Sequence, residues 1–414
     1  MASPVNPPRG MRDFLPSEKR KRDVVLDVIR STYRSFGFDE IETPVVEDSS
    51  RLHAGLGGDN EKLAFAVMKR ALGPDDLKAA ESPLDLADLG LRFDLTVPLA
   101  RFYATHRAEL PTVFRAIQIA PVWRAERPQK GRYRQFVQCD IDIIGEPGAL
   151  AEIELLSATS AVLTRLGLVG TTIRINDRRI LLALLSHWKV PIDRFDQALV
   201  TIDKLDKIGV DGVVAELAEL GVPTSGLAEQ LGQLAEATWE TGATAPDWLD
   251  GEAFHDLEAL RAALPDAKLE FDPTLVRGMG YYTGTIFEVA HPDFGYSLGG
   301  GGRYDGMIGR FLGADVPAAG FSLGFERLVD LVEVPGHSSD GGLVVLFEKG
   351  VEPAALVRLQ AELVAAGHSR VRIDKKAKNL TNQLNGLTEA GFSSFTVVRD
   401  ATVPLADLEI RDLG

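Results

Sequence analysis

The sequence predicts an α+β protein in which an antiparallel-sheet domain carries a helical insertion and is followed by a small α/β domain. Two β-rich segments flank residues 124–134 and indicate one long hairpin. Residues 178–265 consist mostly of short amphipathic helical patterns, which is typical of an insertion. The end of the chain alternates strand and helix patterns. We therefore expect domains over residues 1–334 and 343–414, joined by a linker at 335–342.

The composition excludes several classes of protein. The chain has 414 residues, 45% of them hydrophobic, which is long enough for two or three domains. No segment approaches the ~20 apolar residues of a membrane span, and the first residues lack the apolar core of a secretion signal. Cys139 is the single cysteine, which excludes internal disulfides and cysteine-cluster zinc sites and indicates a small core residue. We expect a cytoplasmic protein without zinc or an organic cofactor.

The first predicted elements are a helix and a broken strand. Residues 17–36 form a helical pattern with one apolar stripe. The stripe consists of Val25, Ile29, Tyr33 and Phe36. The segment GFDEIETPVVE follows as a strand in which Pro44 marks a break or an edge. Residues 86–104 then pass from a turn through a strand into a helix that Pro98 is expected to open.

The long hairpin is the central predicted element. In the segment FVQCDIDII, residues 136–144, the polar residues Gln138, Asp140 and Asp142 alternate with apolar ones. This period of two is typical of a strand with one buried face. The segment TVFRAIQIAPVW supplies the preceding strand, and the loop between them, RAERPQKGRYR, holds five cations. A basic run taken alone is more often a solvated hairpin tip.

The polar strand beside the basic loop favours a binding site over a solvated tip. Arg124 lies at the entry of the loop, and Arg132 and Arg134 lie at its exit. Several guanidinium forks suit a polyphosphate, and an amide with two carboxylates suits a cation. The formal net charge of −15 argues weakly against nucleic-acid binding, but charges more than ~8 Å apart are largely screened at physiological salt. The sequence therefore predicts an anionic ligand and a cationic ligand held side by side.

The remaining patterns complete the two predicted domains. Residues 150–166 form a helical pattern that Gly167 is expected to end. Strand patterns return from Arg277, and the glycines at 299–302 permit a close backbone approach or a tight turn. Residues 343–414 predict a β-α-β-α-β unit with a mostly parallel sheet. The P-loop pattern G-x-x-x-x-G-K-[ST] does not occur, so ATP is expected on the antiparallel sheet if it binds.

These segments together resemble class II aminoacyl-tRNA synthetases, and specifically the histidyl-tRNA synthetase family, over nearly the whole chain. GFDEIETPVVE resembles motif 1, the dimer-forming element, VWRAERPQKGRYRQF resembles motif 2, and AAGFSLGFERL resembles motif 3. RGMGYYTGTIFE and GGGGRYDG resemble two segments particular to the histidine enzymes. The resemblance implies a class II catalytic core, a homodimer and a C-terminal anticodon-binding domain.

The resemblance also implies a reaction and the residues that perform it. ATP, as its Mg²⁺ complex, and L-histidine would form histidyl-adenylate, and the histidyl group would pass to the 3′ end of tRNA(His). Arg124 and Arg277 are implied to be catalytic, with Arg277 a fixed cation beside the α-phosphate in place of a metal ion. The implied ATP-binding residues are Arg124, Glu126, Arg132 and Arg327. The implied histidine-binding residues are Asp94, Thr96, Gln138, Asp142, Arg277, Tyr282 and Tyr304.

Some of these residues have structural alternatives. Asp94 would also serve as a helix or turn cap, since Pro98 follows, and Tyr282 would also serve as a core or interface aromatic. Gly280 stands where the family pattern R-G-L-D-Y-Y has aspartate, which puts that one contact in doubt. The basic candidates for contact with the anticodon match a solvated helix start equally well. They are Arg372, Lys375, Lys376 and Lys378.

Two other functions are compatible with parts of the pattern. A synthetase-like regulatory subunit of a histidine-biosynthetic ATP phosphoribosyltransferase would lack catalysis. Such subunits typically lose motif arginines and the C-terminal domain, whereas this chain has both. A module that only binds histidine would leave four phosphate-directed arginines unused. The sequence therefore favours the enzyme.

Overall fold

The structure is a computed structural model, and it describes residues 5–52, 63–128, 131–244, 246–277, 281–333, 342–400 and 404–413. Gly280 and residues 335–341 of the predicted linker lie outside these ranges. The chain divides into two compact units. The first comprises Met1–Arg12 and Leu26–Val332, and the second comprises Asp13–Val25 and Glu333–Gly414.

The first unit contains a main sheet, a smaller sheet and their helices. Its strands are β1 (Asp39–Glu40), β2 (Val46–Asp48), β3 (Phe65–Met68), β4 (Ala87–Leu91), β5 (Phe114–Trp123), β6 (Gln135–Ile144), β7 (Thr172–Asp177), β8 (Leu269–Phe271), β9 (Thr285–His291), β10 (Phe294–Arg303) and β11 (Ala318–Gly324). Its helices are α1 (Pro16–Ser35, which begins in the second unit), α2 (Ser49–Leu52), α3 (Pro74–Ala79), α4 (Thr96–His106), α5 (Leu150–Arg165), α6 (Arg178–His187), α7 (Phe195–Ile202), α8 (Leu205–Glu219), α9 (Leu227–Ala235), α10 (Thr241–Thr244), α11 (Gly251–Ala263), α12 (Asp305–Leu312) and α13 (Phe325–Leu331). Short 3₁₀ helices cover Pro83–Leu86 and Ile192–Arg194.

The main sheet has eight strands in the order β1-β5-β6-β11-β10-β9-β7-β8. Its central strands, β5 to β7 in this order, pair antiparallel, while the short strands β1 and β8 pair parallel at the two edges. β2, β4 and β3 form a separate antiparallel sheet. The predicted α+β class is confirmed, and the predicted long hairpin is β5 and β6.

The N-terminal patterns are confirmed with one exception. Val25, Ile29 and Tyr33 of the α1 stripe are fully buried. Phe36 lies beyond the end of α1 and is 38% exposed, so its assignment to the stripe was wrong. The helix ends earlier than predicted because Gly37 adopts a left-handed conformation with φ of 83°. The segment around Pro44 divides into β1 and β2, as a break at this proline predicts.

The prediction of a single buried face for β6 was wrong. Cys139, Ile141 and Ile143 are 0% exposed, but Gln138, Asp140 and Asp142 on the other face are at most 9% exposed. β6 lies between β5 and β11 in the middle of the sheet, and its polar face is the floor of a buried site. A period-two pattern therefore indicated the strand correctly but not the environment of its polar side.

Helices α6 to α11 fill residues 178–263 between β7 and β8, in agreement with the predicted helical region. Asp177 immediately precedes α6, and its carboxylate accepts a hydrogen bond from Arg179 N at 2.8 Å and so caps the helix. Leu184 of α6 and Leu231 of α9 are fully buried. The insertion therefore has an apolar interior.

The second unit is built around a four-stranded sheet. Its elements are β12 (Leu343–Phe347), α14 (Pro353–Ala365), β13 (Val371–Lys375), α15 (Leu380–Glu389), β14 (Ser394–Val398), a 3₁₀ helix (Leu405–Asp407) and β15 (Arg411–Asp412). β13, β12 and β14 pair parallel, and β15 adds an antiparallel edge. Apolar clusters cover both faces of β12. The predicted β-α-β-α-β unit is confirmed.

Candidate active site

One face of the main sheet carries two neighbouring rows of residues that cross the strands. The strand register aligns the first row as Gln118, Asp140, Ser322, Gly300, Glu288 and Arg174. It aligns the second row as Ala116, Asp142, Gly320, Gly302, Ile286 and Asn176. Residues two apart on a strand share a face, so both rows lie on one side of the sheet. These rows form the floor of the candidate site.

Glycines in the two rows make room for the side chains above them. A Cβ atom at Gly300 would lie 2.0 Å from Nη1 of Arg277. A Cβ atom at Gly320 would lie 2.0 Å from Oδ1 of Asp142, and one at Gly302 would lie 3.0 Å from the Tyr282 ring. The glycine run thus permits a close approach, as predicted, but the groups that approach include side chains of the protein itself.

Asp94, Asp140 and Asp142 form the carboxylate side of the site. Burial raises the pKa of Asp142 to about 7; a hydrogen bond from Tyr304 opposes this rise and the charge of Asp94 adds to it. Tyr304 Oη donates that bond to Asp142 Oδ1 at 2.5 Å. Burial likewise raises the pKa of Asp94 to about 6. For Asp140, burial and then the charge of Asp142 raise the pKa well above its usual range. A bound cation would stabilise the charged forms of these three neighbouring acids.

Two amide side chains organise the carboxylate side. Gln138 Nε2 donates to Ser322 Oγ at 3.0 Å and lies 3.4 Å from both carboxylate oxygens of Asp140. Gln118 Nε2 donates to the carbonyl oxygen of Leu95 at 3.0 Å and so fixes the loop that carries Asp94. Among the described side chains, Gln138 Oε1 is buried without a hydrogen-bond partner. A buried acceptor of this kind suits a donor on a ligand.

The alternative role of Asp94 as a cap is also present. Asp94 Oδ1 accepts a hydrogen bond from Val97 N at 3.3 Å at the start of α4. α4 begins at Thr96, so Pro98 occupies its third position and does not open it as predicted. Thr96, predicted to bind histidine, lies on this first turn. The cap orients the carboxylate of Asp94, and its charge still acts on Asp142.

Arg124, Arg132, Arg277 and Arg327 form the arginine side of the site. Arg124 Nε donates to the carbonyl oxygen of Phe93 at 3.0 Å, beside Asp94 in the chain. Arg132 is half exposed and lies 3.9 Å from the Glu126 carboxylate, the distance joining Nη1 and Oε2. Arg277 Nε donates to Glu288 Oε2 at 2.5 Å. Both residues assigned to motif 2 phosphate contacts thus flank the hairpin loop.

The four arginine charges act on one another. Burial lowers the pKa of Arg327, and the nearby charges of Arg132 and Arg277, followed by that of Arg124, lower it further. The charge of Glu288 opposes this effect. Like charges held close together favour a polyanionic ligand, because the ligand removes their mutual repulsion. The arginine side therefore has the electrostatics of a polyphosphate site.

Three tyrosines lie in the site beside the carboxylate and arginine groups. Tyr282 and Tyr304, both predicted to contact histidine, are 8% and 2% exposed. Tyr281, which sequence reasoning missed, has its ring centre 4.4 Å from that of Tyr282. Burial raises the pKa of Tyr281; the charge of Asp94 also raises it, while those of Arg277 and Arg124 lower it. Tyr281 therefore lies near both the carboxylate side and the arginine side.

Sequence reasoning also missed three polar neighbours of the predicted residues. Asp140 was recognised as part of the polar strand but was not assigned to the histidine site. Glu288 and Ser297, which contact Arg277, were not singled out. The role of Glu288 follows from its position opposite Gly300, and this position is known only once β9 and β10 are paired.

The fold and the paired sides define the class. A six-stranded antiparallel core flanked by parallel edge strands, with an arginine-rich hairpin beside an acidic pocket, is the catalytic architecture of class II aminoacyl-tRNA synthetases. Residues 10–328 match the family model described as histidyl-tRNA synthetase. The chain belongs to the histidyl-tRNA synthetase family.

Curated relatives and solved structures agree with this assignment. A histidine-tRNA ligase of Leifsonia xyli subsp. xyli is 58% identical over 430 aligned positions, covering 100% of this chain and 99% of the relative. A probable histidine-tRNA ligase of Tropheryma whipplei is 41% identical and covers 97% of each chain. The crystal structure of histidyl-tRNA synthetase from Nostoc sp. PCC 7120 matches with a TM-score of 0.78 and 26% identity, covering 100% of this chain and 95% of that chain.

A second solved structure shares the fold at lower identity. It is described as an ATP phosphoribosyltransferase regulatory subunit/histidyl-tRNA synthetase from Bacillus halodurans C. It matches with a TM-score of 0.76 and 23% identity, and the match covers 96% of this chain and 99% of that chain.

Within the described residues, no helix is long and apolar enough to cross a membrane. No group of three or more histidine, cysteine, aspartate or glutamate side chains is placed to bind a metal in the part of the chain that the structure describes.

Proposed function

We propose that the chain is a histidine-tRNA ligase that activates histidine with ATP and transfers it to tRNA(His). A carboxylate oxygen of histidine attacks the α-phosphorus of ATP, an O–P bond forms, and the bond to pyrophosphate breaks. The 3′-terminal ribose hydroxyl of the tRNA then attacks the histidyl carbonyl carbon, and AMP leaves. The observation that carries the proposal is that Asp94, Asp140 and Asp142 lie beside four arginines at one face of the main sheet.

The arginine side is assigned to ATP. Arg124 and Arg277 contact the α-phosphate, where charge builds during the attack, and neither needs to lose a proton. Arg132 and Arg327 hold the outer phosphates, and Glu126 lies towards the adenine. Because the attacking carboxylate carries no proton, the step depends mainly on positioning and on neutralising charge. Mg²⁺ enters with the β- and γ-phosphates as part of the substrate.

The carboxylate side is assigned to histidine. Asp94, Thr96 and Gln138 hold the α-ammonium group, and the unpaired Gln138 Oε1 supplies an acceptor for it. Asp142 completes this anchor for the α-ammonium group, and Tyr282 and Tyr304 contact the imidazole side. We add Asp140 to this set, because its carboxyl group lies beside Gln138 and its pKa responds to Asp142 and Asp94. A pocket of this kind rejects amino acids that leave its polar groups unpaired by ~10⁴-fold or more.

The remaining partners are tRNA(His) and a second copy of the chain. Motif 1, which contains Pro44, is assigned to a homodimer interface. The second unit is assigned to the anticodon arm, with Lys375 and Lys378 exposed on it. Arg372 and Lys376 are engaged with Asp374 and Glu348. Aminoacylation of tRNA for translation places the reaction in the cytoplasm.

The regulatory-subunit alternative shares the fold but not the arginine side. A subunit without adenylate chemistry has no use for four arginines that repel one another in the absence of a polyanion. In this chain Arg277 and Arg327 are each held by hydrogen bonds from within the unit. Such fixed cations support an activation step.

Pyrophosphate exchange into ATP, measured without tRNA and with each of the twenty amino acids in turn, tests the proposal. We expect exchange with histidine alone. Exchange with a different amino acid would replace the substrate assignment. A folded protein that supports no exchange with any amino acid would favour the regulatory subunit.

A further inference from the structure

Ser297 contacts both arginines that the proposed function assigns to opposite ends of the triphosphate. Its hydroxyl accepts a hydrogen bond from Arg277 Nη2 at 2.9 Å. Its carbonyl oxygen accepts one from Arg327 Nη1. The hydroxyl donates its own proton to the carbonyl oxygen of Gly299 at 2.8 Å, which fixes its lone pairs towards Arg277. One residue thus holds two guanidinium groups, one through the side chain and one through the backbone.

Ser297 reaches this position because β10 is irregular there. β10 pairs with β9 at Phe294 and again from Gly299, and the register shifts between these two residues. A bulge of this kind redirects side chains relative to a regular strand and is common beside active sites. Ser297 lies within the shifted segment, two residues before the first glycine of the run, Gly299.

The rest of the Arg277 guanidinium is fixed from the other side. Glu288 Oε2 accepts from Arg277 Nε at 2.5 Å, and Arg174 Nη1 lies 3.4 Å from Glu288 Oε1. Nη1 of Arg277 lies over Gly300, where no Cβ atom intervenes. Two contacts at different nitrogens define the plane of a guanidinium group, whereas one leaves it able to rotate. Ser297 supplies the second contact.

We propose that Ser297 is a positioning residue that sets the relative placement of Arg277 and Arg327 before ATP binds. Both guanidinium groups are positive and repel each other, and the two acceptors of Ser297 offset this repulsion in the ligand-free pocket. Preformed placement matters because a displacement of about 1 Å in a reacting geometry can reduce a rate ~10²-fold. The inference rests on the proposed function and deepens it.

A matched pair of variants isolates the hydroxyl. Ser297→Thr keeps the hydroxyl. Ser297→Val has the same shape as the threonine variant but carries a methyl group in place of the hydroxyl. In histidine-dependent pyrophosphate exchange we expect Ser297→Val to lower kcat about 10- to 100-fold, with the KM for histidine changed less than twofold. Ser297→Thr should stay within about threefold of the unmodified chain. Ser186→Ala removes an exposed hydroxyl that bonds only to its own helix, at Leu182 O, and serves as the control.

A double-mutant cycle separates positioning from a general structural role. If the hydroxyl acts through Arg277, Ser297→Val should cause no further loss in an Arg277→Ala background. Equal losses in both backgrounds would overturn the inference, as would equal exchange by the Thr and Val variants. If the unmodified chain is active and Ser297→Val is equally active, this inference is overturned while the proposed function stands. An unmodified chain without exchange for any amino acid overturns the proposed function and this inference together.

Discussion

The carboxylate side and the arginine side of the candidate site are neighbours on one sheet, but they are stabilised differently. Asp140 and Asp142 are almost fully buried and Asp94 is partly buried, and raised pKa values partly remove their charges. The arginines stay charged and are held in place by carbonyl oxygens, a hydroxyl and the carboxylates of Glu288 and Glu126. Arginine cannot release its proton to escape repulsion, whereas an aspartate can take one up. The two halves should therefore respond differently to pH and to mutation.

The largest effect is expected when the arginine side loses its central cation. Arg277→Ala should lower the rate of histidyl-adenylate formation ~10³-fold, because a fixed charge beside the α-phosphate is lost. ATP binding should weaken only modestly, since three arginines remain. Single-turnover adenylate formation and equilibrium ATP binding measure the two quantities separately. An unchanged rate would remove Arg277 from the mechanism.

A substitution of Gly300, in the floor of the site beneath Arg277, should have the next largest effect on activity. Gly300→Ala places a methyl group where Arg277 Nη1 now lies, so the guanidinium must move. We expect exchange activity to fall ~10²-fold with little loss of histidine affinity. Gly232→Ala, in α9 with open space around its Cβ position, is the control and should be active. Full activity in Gly300→Ala would show that the position of Arg277 is not critical.

The carboxylate side should supply the pH dependence. Asp142 and Asp94, with pKa values of about 7 and about 6, gain protons as the pH falls and then attract the ammonium group less. We expect the KM for histidine to rise up to ~10-fold per pH unit below about pH 7 and more steeply below about pH 6, while the KM for ATP changes little. Asp142→Asn should lose the inflection near pH 7. A KM for histidine that is constant from pH 8 to pH 5.5 would contradict this assignment.

Stability of the ligand-free protein should change with pH in the opposite sense to histidine binding. The folded pKa of Asp142 lies above its usual value, so its contribution to the free energy of unfolding is present below about pH 4 and is lost as the pH rises through 7. The slope is at most about 1.4 kcal/mol per pH unit for one group. Denaturant unfolding of the ligand-free chain and of Asp142→Asn between pH 5 and pH 8 measures it. Parallel curves for the two proteins would exclude Asp142 as the source.

The smallest effect on activation is expected from the second unit. Lys375→Glu with Lys378→Glu should leave pyrophosphate exchange unchanged and raise the KM for tRNA(His) about tenfold, through repulsion of phosphates. Arg358→Glu, an exposed charge reversal on α14, is the matched control. Equal KM values for tRNA in the two proteins would remove this surface from recognition.

The sequence predicts the elements of this molecule better than the contacts between them. The alternation in FVQCDIDII predicts β6, because backbone periodicity is local. It cannot predict that the polar face is buried, because that depends on the strands and helices that cover Asp140 and Asp142. The arginines of motif 2 are visible as a charge run. Ser297 and Glu288 are not, since their roles follow from a register shift and from cross-strand pairing.

The boundary of the second unit shows the same limit. The linker composition near residue 335 suggests a division of the chain there. Residues 13–25 group with the C-terminal residues instead of with the rest of α1. Residues 17–23 are all polar, and this composition alone does not indicate which unit they join.

Cys139 lies on the opposite face of β6 from Asp140 and is fully buried. Because it is the single thiol of the chain, the rate at which it is modified reports how often the central sheet opens. A thiol reagent can modify it only when β6 separates from its neighbours, so the labelling rate reports that rare event. Ligands that bind the closed sheet should slow labelling in proportion to their occupancy. ATP and histidine affinities could then be read from an unmodified chain, without catalysis and without an added probe.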